Sequence, residues 1–168
     1  MIYNIYKFII IFKMKINDNK YYYTYEDIHN FIRNNYQHIS NEIDCIVAIG
    51  TGGFIPARIL KTYLNIPIYT ITVQSYDNNN QTNMKLFQWL DMDLSNKKIV
   101  IVDEVDDTRN TLQFCVSQLK EKNKLTNYEI FVIHNKIKEK KWDIPKEIKY
   151  HCCETIQNKW IVYPWDNK

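Results

Sequence analysis

The chain of 168 residues has only three glycines, Gly50, Gly52 and Gly53, and all three lie within four positions. A permissive backbone is therefore needed mainly at this one place. The cluster lacks the Gly-Lys-Ser/Thr sequence of a P-loop, and Ile55 stands where the dinucleotide-binding fingerprint needs its third glycine. These absences argue against the commonest nucleotide-binding folds, but the turn can still wrap backbone N–H groups around a phosphate.

Cysteine pairs and strong net charge are also missing. The four cysteines include no CxxC pair, which argues against an ordinary zinc knuckle. Cys45 and Cys115 lie in apolar segments and are interpreted as buried, reduced thiols, which favours a cytoplasmic location. The net charge of +3 is compatible with an anionic ligand and too small to indicate nucleic-acid binding.

The apolar run at residues 8–12 is too short to span a bilayer and lacks the small-residue cleavage site of a signal peptide. We therefore expect no membrane partner. Residues 1–13 are interpreted as an N-terminal extension or a mis-assigned start, because Met14 begins a conventional polar segment. The remaining residues, 14–168, are the length of a single domain with one good core.

Apolar runs that alternate with helical patterns predict an α/β fold with a mainly parallel sheet flanked by helices. A capping box at Thr24 to Asp27 begins the first predicted helix. The polar residues 75–83 are interpreted as a mobile loop. The predicted strands are residues 45–49, 66–73, 99–102, 128–133, 150–153 and 160–162.

Unusual residues concentrate at two strand-to-helix junctions, 50–53 and 103–111. In open parallel sheets ligands bind beyond the carboxyl ends of the strands, so both junctions are expected to line one anion-binding cleft. The second junction holds four acids in five residues, Asp103, Glu104, Asp106 and Asp107. Helix capping explains one or two of them, whereas the mutual repulsion of four needs a cation or hydroxyl donors. The donor-rich residues 108–111 follow, so the pattern predicts a sugar-phosphate site.

Four segments resemble the type I phosphoribosyltransferases, and they occur in the family's order from about Tyr22 to the end. Residues 99–112 (IVIVDEVDDTRNTL) resemble the phosphoribosyl pyrophosphate motif, and residues 46–60 (IVAIGTGGFIPARIL) resemble the pyrophosphate loop and its helix. Ser75 and Tyr76 open a segment similar to the flexible catalytic loop. Residues 159–166 (KWIVYPWD) resemble the purine-binding stretch of the 6-oxopurine branch, which implies a small C-terminal hood over the base.

The resemblance implies a role for each matching residue. Asp103 and Glu104 would hold the ribose hydroxyls, directly or through Mg²⁺, and Asp107 would be the catalytic residue that assists proton removal near purine N7. The loop that cradles the 5′-phosphate would be Asp107, Thr108, Arg109, Asn110 and Thr111. Pyrophosphate would contact Gly50, Thr51, Gly52 and Gly53, with a cis peptide expected between Gly50 and Thr51.

On the purine side, the resemblance implies that Lys136 binds O6, Trp160 stacks on the ring and the Ile161 backbone meets the base edge. Asp166 would assist a second metal site. Two departures from the family pattern stand out. Arg109 occupies a position that is commonly glycine, which suggests a subgroup and a charged contribution to phosphate binding, and Thr51 stands where a basic residue is common.

The implied activity is purine salvage, in which a 6-oxopurine and phosphoribosyl pyrophosphate give a nucleoside monophosphate and pyrophosphate. Hypoxanthine and guanine are the first expected bases, with xanthine next, and the family implies a homodimer or higher homo-oligomer. Two alternatives stay open. One is transfer to another base, such as adenine or a pyrimidine, which Lys136 and Trp160 disfavour. The other is a non-catalytic regulator that senses phosphoribosyl pyrophosphate, which the retained Asp107 argues against.

Overall fold

The computed structural model describes residues 19–78, 81–90, 92–124 and 127–166. The predicted extension at residues 1–13 lies outside these ranges. Within them, no helix is both long enough and apolar enough to cross a membrane. The described elements are β1 (Lys20–Tyr22), α1 (Tyr25–Asn35), a 3₁₀ turn (Tyr36–His38), β2 (Cys45–Gly50), α2 (Phe54–Leu64), β3 (Ile68–Asn78), β4 (Gln81–Gln88), β5 (Lys98–Asp106), α3 (Asn110–Asn123), β6 (Asn127–Ile137), β7 (Lys149–Gln157) and β8 (Trp160–Val162).

Six strands form one sheet in the order β4-β3-β2-β5-β6-β7. All neighbours are parallel except β3 and β4, which form an antiparallel pair. The prediction of a mainly parallel α/β sheet is therefore confirmed. Parallel strands need crossover connections, and the crossover helices cover both faces of the sheet.

Each face of the sheet has its own apolar core, because alternate residues of a strand point to opposite sides. On one face, Val47 of β2 and Ile101 of β5 pack with Cys115 and Leu119 of α3. On the other face, Ala48 and Val102 are in the core that α1 and α2 complete. Cys45 and Cys115 are buried, as the sequence predicts, and the four cysteines form no disulfide.

The capping box predicted at the start of α1 is present. The Thr24 hydroxyl accepts a hydrogen bond from the Asp27 N–H at 3.1 Å, and the Asp27 carboxylate accepts one from the Thr24 N–H at 2.8 Å. These two bonds satisfy amides that the first turn of a helix leaves free. The helix consequently begins at a fixed point and buries Ile28 and Ile32 against the sheet.

Two expectations about strands are corrected. The predicted strand 99–102 continues to Asp106, because the acidic residues still pair in register with β6, for example Asp103 with Val132. The predicted loop 75–83 instead forms parts of β3 and β4, with residues 79 and 80 outside the described ranges. Backbone pairing between the two strands, rather than an apolar pattern, makes this hairpin.

The C-terminal hood takes the form of a small two-stranded sheet that also uses the start of the domain. Strand β8 pairs in parallel with β1, with Lys20 opposite Trp160 and Tyr22 opposite Val162. Ile161 and Tyr163 reach into the core that α1 and α2 cover. The hood is therefore tied to the main sheet by buried side chains.

Candidate active site

The two strand-to-helix junctions lie side by side, as predicted, because β2 and β5 are neighbours and run in parallel. A cleft of about 370 Å³ opens at their carboxyl ends. Gly50, Thr51 and Gly52 line one side of it, and residues 103–112 line the other. The sequence prediction of a single cleft fed by both junctions is confirmed.

The glycine turn serves close packing. The peptide between Gly50 and Thr51 is cis, as the resemblance implied, and none of the three glycines has a positive φ. A Cβ on Gly53 would lie 2.5 Å from the carbonyl oxygen of Val102 and 2.7 Å from that of Ile49. The missing side chain lets the turn before α2 lie directly on β2 and β5. The expected permissiveness is therefore used for close approach rather than for left-handed backbone.

Asp103 and Glu104 form a carboxylate pair at the floor of the cleft. Asp103 is 7% exposed, and its Oδ1 accepts a hydrogen bond from the Glu104 N–H at 3.0 Å. Burial, followed by the neighbouring Glu104 carboxylate, raises the pKa of Asp103 well above its ordinary value. The buried Glu104 Oε2 has no hydrogen-bond partner among the described residues. The pair therefore favours a ligand that brings a cation or hydroxyl donors.

A hard divalent cation fits this carboxylate chemistry, because Mg²⁺ prefers oxygen ligands and shares them with substrate phosphates. In the described ranges no three His, Cys, Asp or Glu side chains come close enough to hold a metal by themselves. A cation at Asp103 and Glu104 would thus need ligands from the substrate.

Asp107 lies beyond the carboxylate pair and is flanked by Lys136, near the end of β6, and by Lys138, just after that strand. Its Oδ1 is 3.0 Å from Lys138 Nζ and 3.7 Å from Lys136 Nζ. The Asp107 side chain is 44% exposed, whereas that of Lys136 is 11% exposed. The predicted base and the predicted O6 ligand are therefore neighbours.

The residues predicted to cradle a phosphate form the turn between β5 and α3. Arg109 has φ 71° and ψ 0°, a left-handed conformation, and Asn110 begins the helix. Left-handed backbone favours glycine, which gives a physical reason for the glycine common at this position. Thr108, Asn110 and Thr111 also line the cleft, where the N–H groups at the start of α3 favour an anion.

The sequence analysis assigned no role to Asp106, Lys140 or Tyr150. Their side chains contact one another beside this turn. The Asp106 carboxylate is fully buried and accepts hydrogen bonds from Arg109 Nε and from the Tyr150 hydroxyl, both at 2.9 Å. Lys140 Nζ is 3.3 Å from the same carboxylate. The available signal was local: Arg109 stands where glycine is common, three residues after an acid without a role.

The residues expected on the purine side belong to the hood. Trp160 is 67% exposed on β8, Ile161 is buried, and the Asp166 N–H donates to the carbonyl of Tyr163. These three residues are not in the lining of the cleft between the two junctions. Ser75 and Tyr76 have their backbone in β3, and their side chains lie outside what the structure describes.

A hydrogen-bonded chain of buried groups connects the hood to the carboxylate pair. The Tyr163 hydroxyl donates to the carbonyl oxygen of Glu104 at 2.9 Å and lies 2.8 Å from His134 Nδ1. The single hydroxyl hydrogen is used on Glu104, so His134 Nδ1 carries the hydrogen that it donates to Tyr163. Burial lowers the pKa of His134 to about 3, which keeps the imidazole neutral.

Comparison with known proteins gives one consistent result. The family model described as "Phosphoribosyl transferase domain" matches residues 20–168. The hypoxanthine-guanine phosphoribosyltransferase of Saccharomyces cerevisiae is 36% identical, and the match covers 92% of this chain and 88% of that protein. Xanthine phosphoribosyltransferase 1 of the same yeast is also 36% identical, with coverage of 89% of this chain and 90% of that protein.

Among solved structures, a hypothetical protein from Neisseria gonorrhoeae with bound ppGpp superposes with a TM-score of 0.79. It is 42% identical to this chain, and the match covers 88% of this chain and 89% of that one. The similarity therefore extends over most of this chain.

Proposed function

The chain belongs to the phosphoribosyl transferase domain family, and from this premise we propose that it is a purine salvage transferase acting on 6-oxopurines. It joins the base to the ribose 5-phosphate of phosphoribosyl pyrophosphate and releases pyrophosphate. Hypoxanthine, guanine and xanthine are the bases named by its yeast relatives. The bound ppGpp of the Neisseria protein is a guanine nucleotide, which supports guanine among the substrates.

The observation that carries the proposal is the meeting of three chemical features in one cleft. A carboxylate pair in which Asp103 is buried, a turn rich in N–H donors at a helix start and a close-packed glycine turn face the same space. Phosphoribosyl pyrophosphate carries a diol between two phosphate groups, and it matches this order of acceptors and donors. A binding site for a simple phosphate would not need Asp103 and Glu104.

The residues act by binding and by moving one proton. Asp103 and Glu104 hold the ribose hydroxyls, a role supported by the unpartnered Glu104 Oε2. Thr108 and Thr111, with the amides of the turn, bind the 5′-phosphate, and the turn from Gly50 to Gly53 binds pyrophosphate. Asp107 accepts the proton that the purine loses when the purine nitrogen bonds to the sugar. Before that transfer, Lys136 and Lys138 stabilise the negative charge of the Asp107 carboxylate.

Mg²⁺ bound to the substrate would neutralise the charge that develops on the departing pyrophosphate. Asp103 and Glu104 are the ligands we propose on the ribose side, and Asp166 is proposed for a second ion. Lys136 is proposed to bind purine O6 and Trp160 to stack on the ring, which its exposure on β8 permits. A homo-oligomeric state and a cytoplasmic location stay predictions.

The test is pyrophosphate release with phosphoribosyl pyrophosphate and Mg²⁺, offering hypoxanthine, guanine, xanthine and adenine separately. Turnover with 6-oxopurines that falls at least about a hundredfold in Asp107→Asn supports the proposal, because general-base groups contribute on that order. Asp143→Asn, an exposed aspartate outside the cleft, is the matched control and should behave like the wild type. Tight binding of phosphoribosyl pyrophosphate without turnover of any base would instead support the sensing regulator.

A further inference from the structure

Three successive carbonyl oxygens, at the end of β5 and in the turn that follows, accept hydrogen bonds from Lys140 and Lys141. Lys140 Nζ donates to the carbonyl oxygens of Asp106 at 2.7 Å and Asp107 at 2.8 Å. The Lys141 N–H donates to the carbonyl oxygen of Thr108 at 3.0 Å. We call residues 140–142 the carbonyl clamp, because Lys140 and Lys141 bind these oxygens and the adjacent Trp142 carbonyl accepts a hydrogen bond from Arg109.

The carbonyl clamp fixes where the amides of the turn point. In a planar trans peptide the N–H group points opposite to the C=O group. Binding the carbonyls of Asp106, Asp107 and Thr108 therefore turns the N–H groups of Asp107, Thr108 and Arg109 away from the clamp. Residues 106–109 line the cleft, whereas residues 140–142 do not. A phosphate in the cleft thus meets amides that are already oriented before it binds.

The Arg109 side chain ties the far end of the turn to the same segment. Its Nε donates to Asp106 at 2.9 Å, its Nη1 donates to the carbonyl oxygen of Trp142 at 3.3 Å, and the guanidinium lies 5.5 Å from the centre of the Tyr150 ring. The buried Asp106 carboxylate therefore pairs with Arg109 and Lys140 at once. Two of the Arg109 guanidinium nitrogens, Nε and Nη1, therefore donate hydrogen bonds to groups of the protein itself.

We propose that Lys140 and Arg109 are positioning residues that orient the amides of residues 107–109 toward the 5′-phosphate. The proposal rests on the proposed function for the identity of the phosphate. It also explains the arginine in place of the common glycine, because the Arg109 side chain makes hydrogen bonds that glycine cannot make. Lys140 acts on the phosphate only through the backbone of the turn.

The experiment compares Lys140→Met with Lys146→Met, which removes an exposed lysine from the same connection between β6 and β7. Binding of guanosine 5′-monophosphate and of pyrophosphate with Mg²⁺ is measured by calorimetry on the full chain. Lys140→Met is expected to weaken monophosphate binding roughly tenfold or more, the effect of losing a charge-assisted hydrogen bond. Pyrophosphate binding should change less than about twofold, because it uses the glycine turn. Lys146→Met should match the wild type for both ligands.

Steady-state kinetics and a conservative variant separate positioning from general damage. The KM for phosphoribosyl pyrophosphate should rise with the monophosphate Kd, while kcat falls by less than about threefold. Lys140→Arg keeps a cationic donor and should recover most of the lost affinity. Equal weakening of both ligands in a folded Lys140→Met protein, or no change in either, overturns the proposal.

If Lys140→Met fails to fold, Arg109→Gly tests the same proposal, because glycine accepts the left-handed backbone at this position. A selective loss of monophosphate affinity of about threefold or more is expected, and an unchanged affinity sinks the proposal. A wild type that binds both ligands and turns over no base refutes the transfer reaction alone. A wild type that does not bind the monophosphate refutes the positioning role as well.

Discussion

The Glu104 carboxylate lies over the Cα of Gly52, so that a Cβ at position 52 would overlap it. The three nearest atoms to such a Cβ all belong to the Glu104 side chain. Gly52 is in the turn proposed to bind pyrophosphate, and Glu104 is in the pair proposed to hold the ribose. The two halves of the substrate site are therefore in direct contact, and a change in one moves the other.

Gly52→Ala is expected to reduce activity with little loss of stability. The added methyl must displace the Glu104 carboxylate, which is the end of a flexible side chain, so the protein stays folded. We expect kcat/KM for phosphoribosyl pyrophosphate to fall by about tenfold or more, the effect of losing a hydrogen bond to a charged group. The free energy of unfolding, from urea titration, should change by less than about 1 kcal/mol.

Gly53→Ala is the matched control, for which we expect the larger effect on stability rather than on activity. Its Cβ would meet the backbone carbonyls of Val102 and Ile49, which cannot rotate away. We expect a loss of about 1–3 kcal/mol in stability, typical of overpacking. Equal stabilities for the two alanine variants would contradict this difference in packing, and an unchanged kcat/KM for Gly52→Ala would contradict the assignment of Gly52 to the substrate site.

Local patterns made much of the site predictable from the sequence. The three glycines fall within residues 50–53, and the acids at the end of β5 and the donors at the start of α3 fall within residues 103–111, so each junction is a short local pattern. Parallel strands place their carboxyl ends together, so two local signals sufficed to predict one cleft. The capping box at Thr24 was predictable for the same reason, because its residues lie close to one another in the sequence.

Long-range pairing was not predictable. The register of β1 with β8 joins Lys20 to Trp160, and no local pattern in either three-residue strand specifies that partner. The contact between Asp106 and Tyr150 likewise spans 44 residues. The hairpin of β3 and β4 was missed because its polar sequence follows from backbone pairing at the edge of a sheet, where apolar alternation is not required.

Trp160→Ala is expected to weaken purine binding without unfolding the protein. Trp160 is mostly exposed on β8, so its removal should change the free energy of unfolding by less than about 1 kcal/mol. Loss of stacking should raise the KM for guanine or hypoxanthine about three- to tenfold. Initial rates at varied base concentration and saturating phosphoribosyl pyrophosphate provide the measurement.

Trp165→Ala provides the comparison, because the Trp165 ring stacks on Tyr163 at 4.8 Å with an interplanar angle of 3°. It should lower stability more than Trp160→Ala and affect the base KM less. If Trp160→Ala leaves the KM for every 6-oxopurine unchanged, Trp160 has no role in base binding.

Tyr163→Phe is expected to destabilise the hood and the carboxylate pair together. The variant removes the donor to the Glu104 carbonyl and the acceptor of His134 Nδ1, two groups in a buried setting. We expect a loss of about 1–3 kcal/mol in the free energy of unfolding, since buried polar groups lose their partners. Tyr150→Phe, which removes a hydroxyl donor from Asp106 instead, controls for loss of a buried hydroxyl. A stability equal to that of the wild type would mean that this chain of groups does not support the hood.

His134 should make stability depend on pH in the mildly acidic range. Burial lowers its pKa from 6.5 to about 3, and this effect outweighs the Glu154 carboxylate at 3.4 Å. The unfolded chain then binds more protons than the folded one between these values, so stability falls as pH drops below 6.5. One such group contributes a slope of up to about 1.4 kcal/mol per pH unit. The measurement is urea unfolding at several pH values from 7 to 4.5.

The comparison of His134→Gln with the wild type isolates this group, because glutamine can still donate to Tyr163 but does not titrate. The difference in the free energy of unfolding between the two proteins should shift steadily in favour of the variant as pH falls. His38→Gln changes an exposed histidine and should leave the pH dependence of the wild type in place. Parallel pH profiles for His134→Gln and the wild type would show that the pKa of the imidazole is the same in the folded and unfolded protein, and a difference that shifts in favour of the wild type as pH falls would show that Glu154 keeps the imidazole protonated.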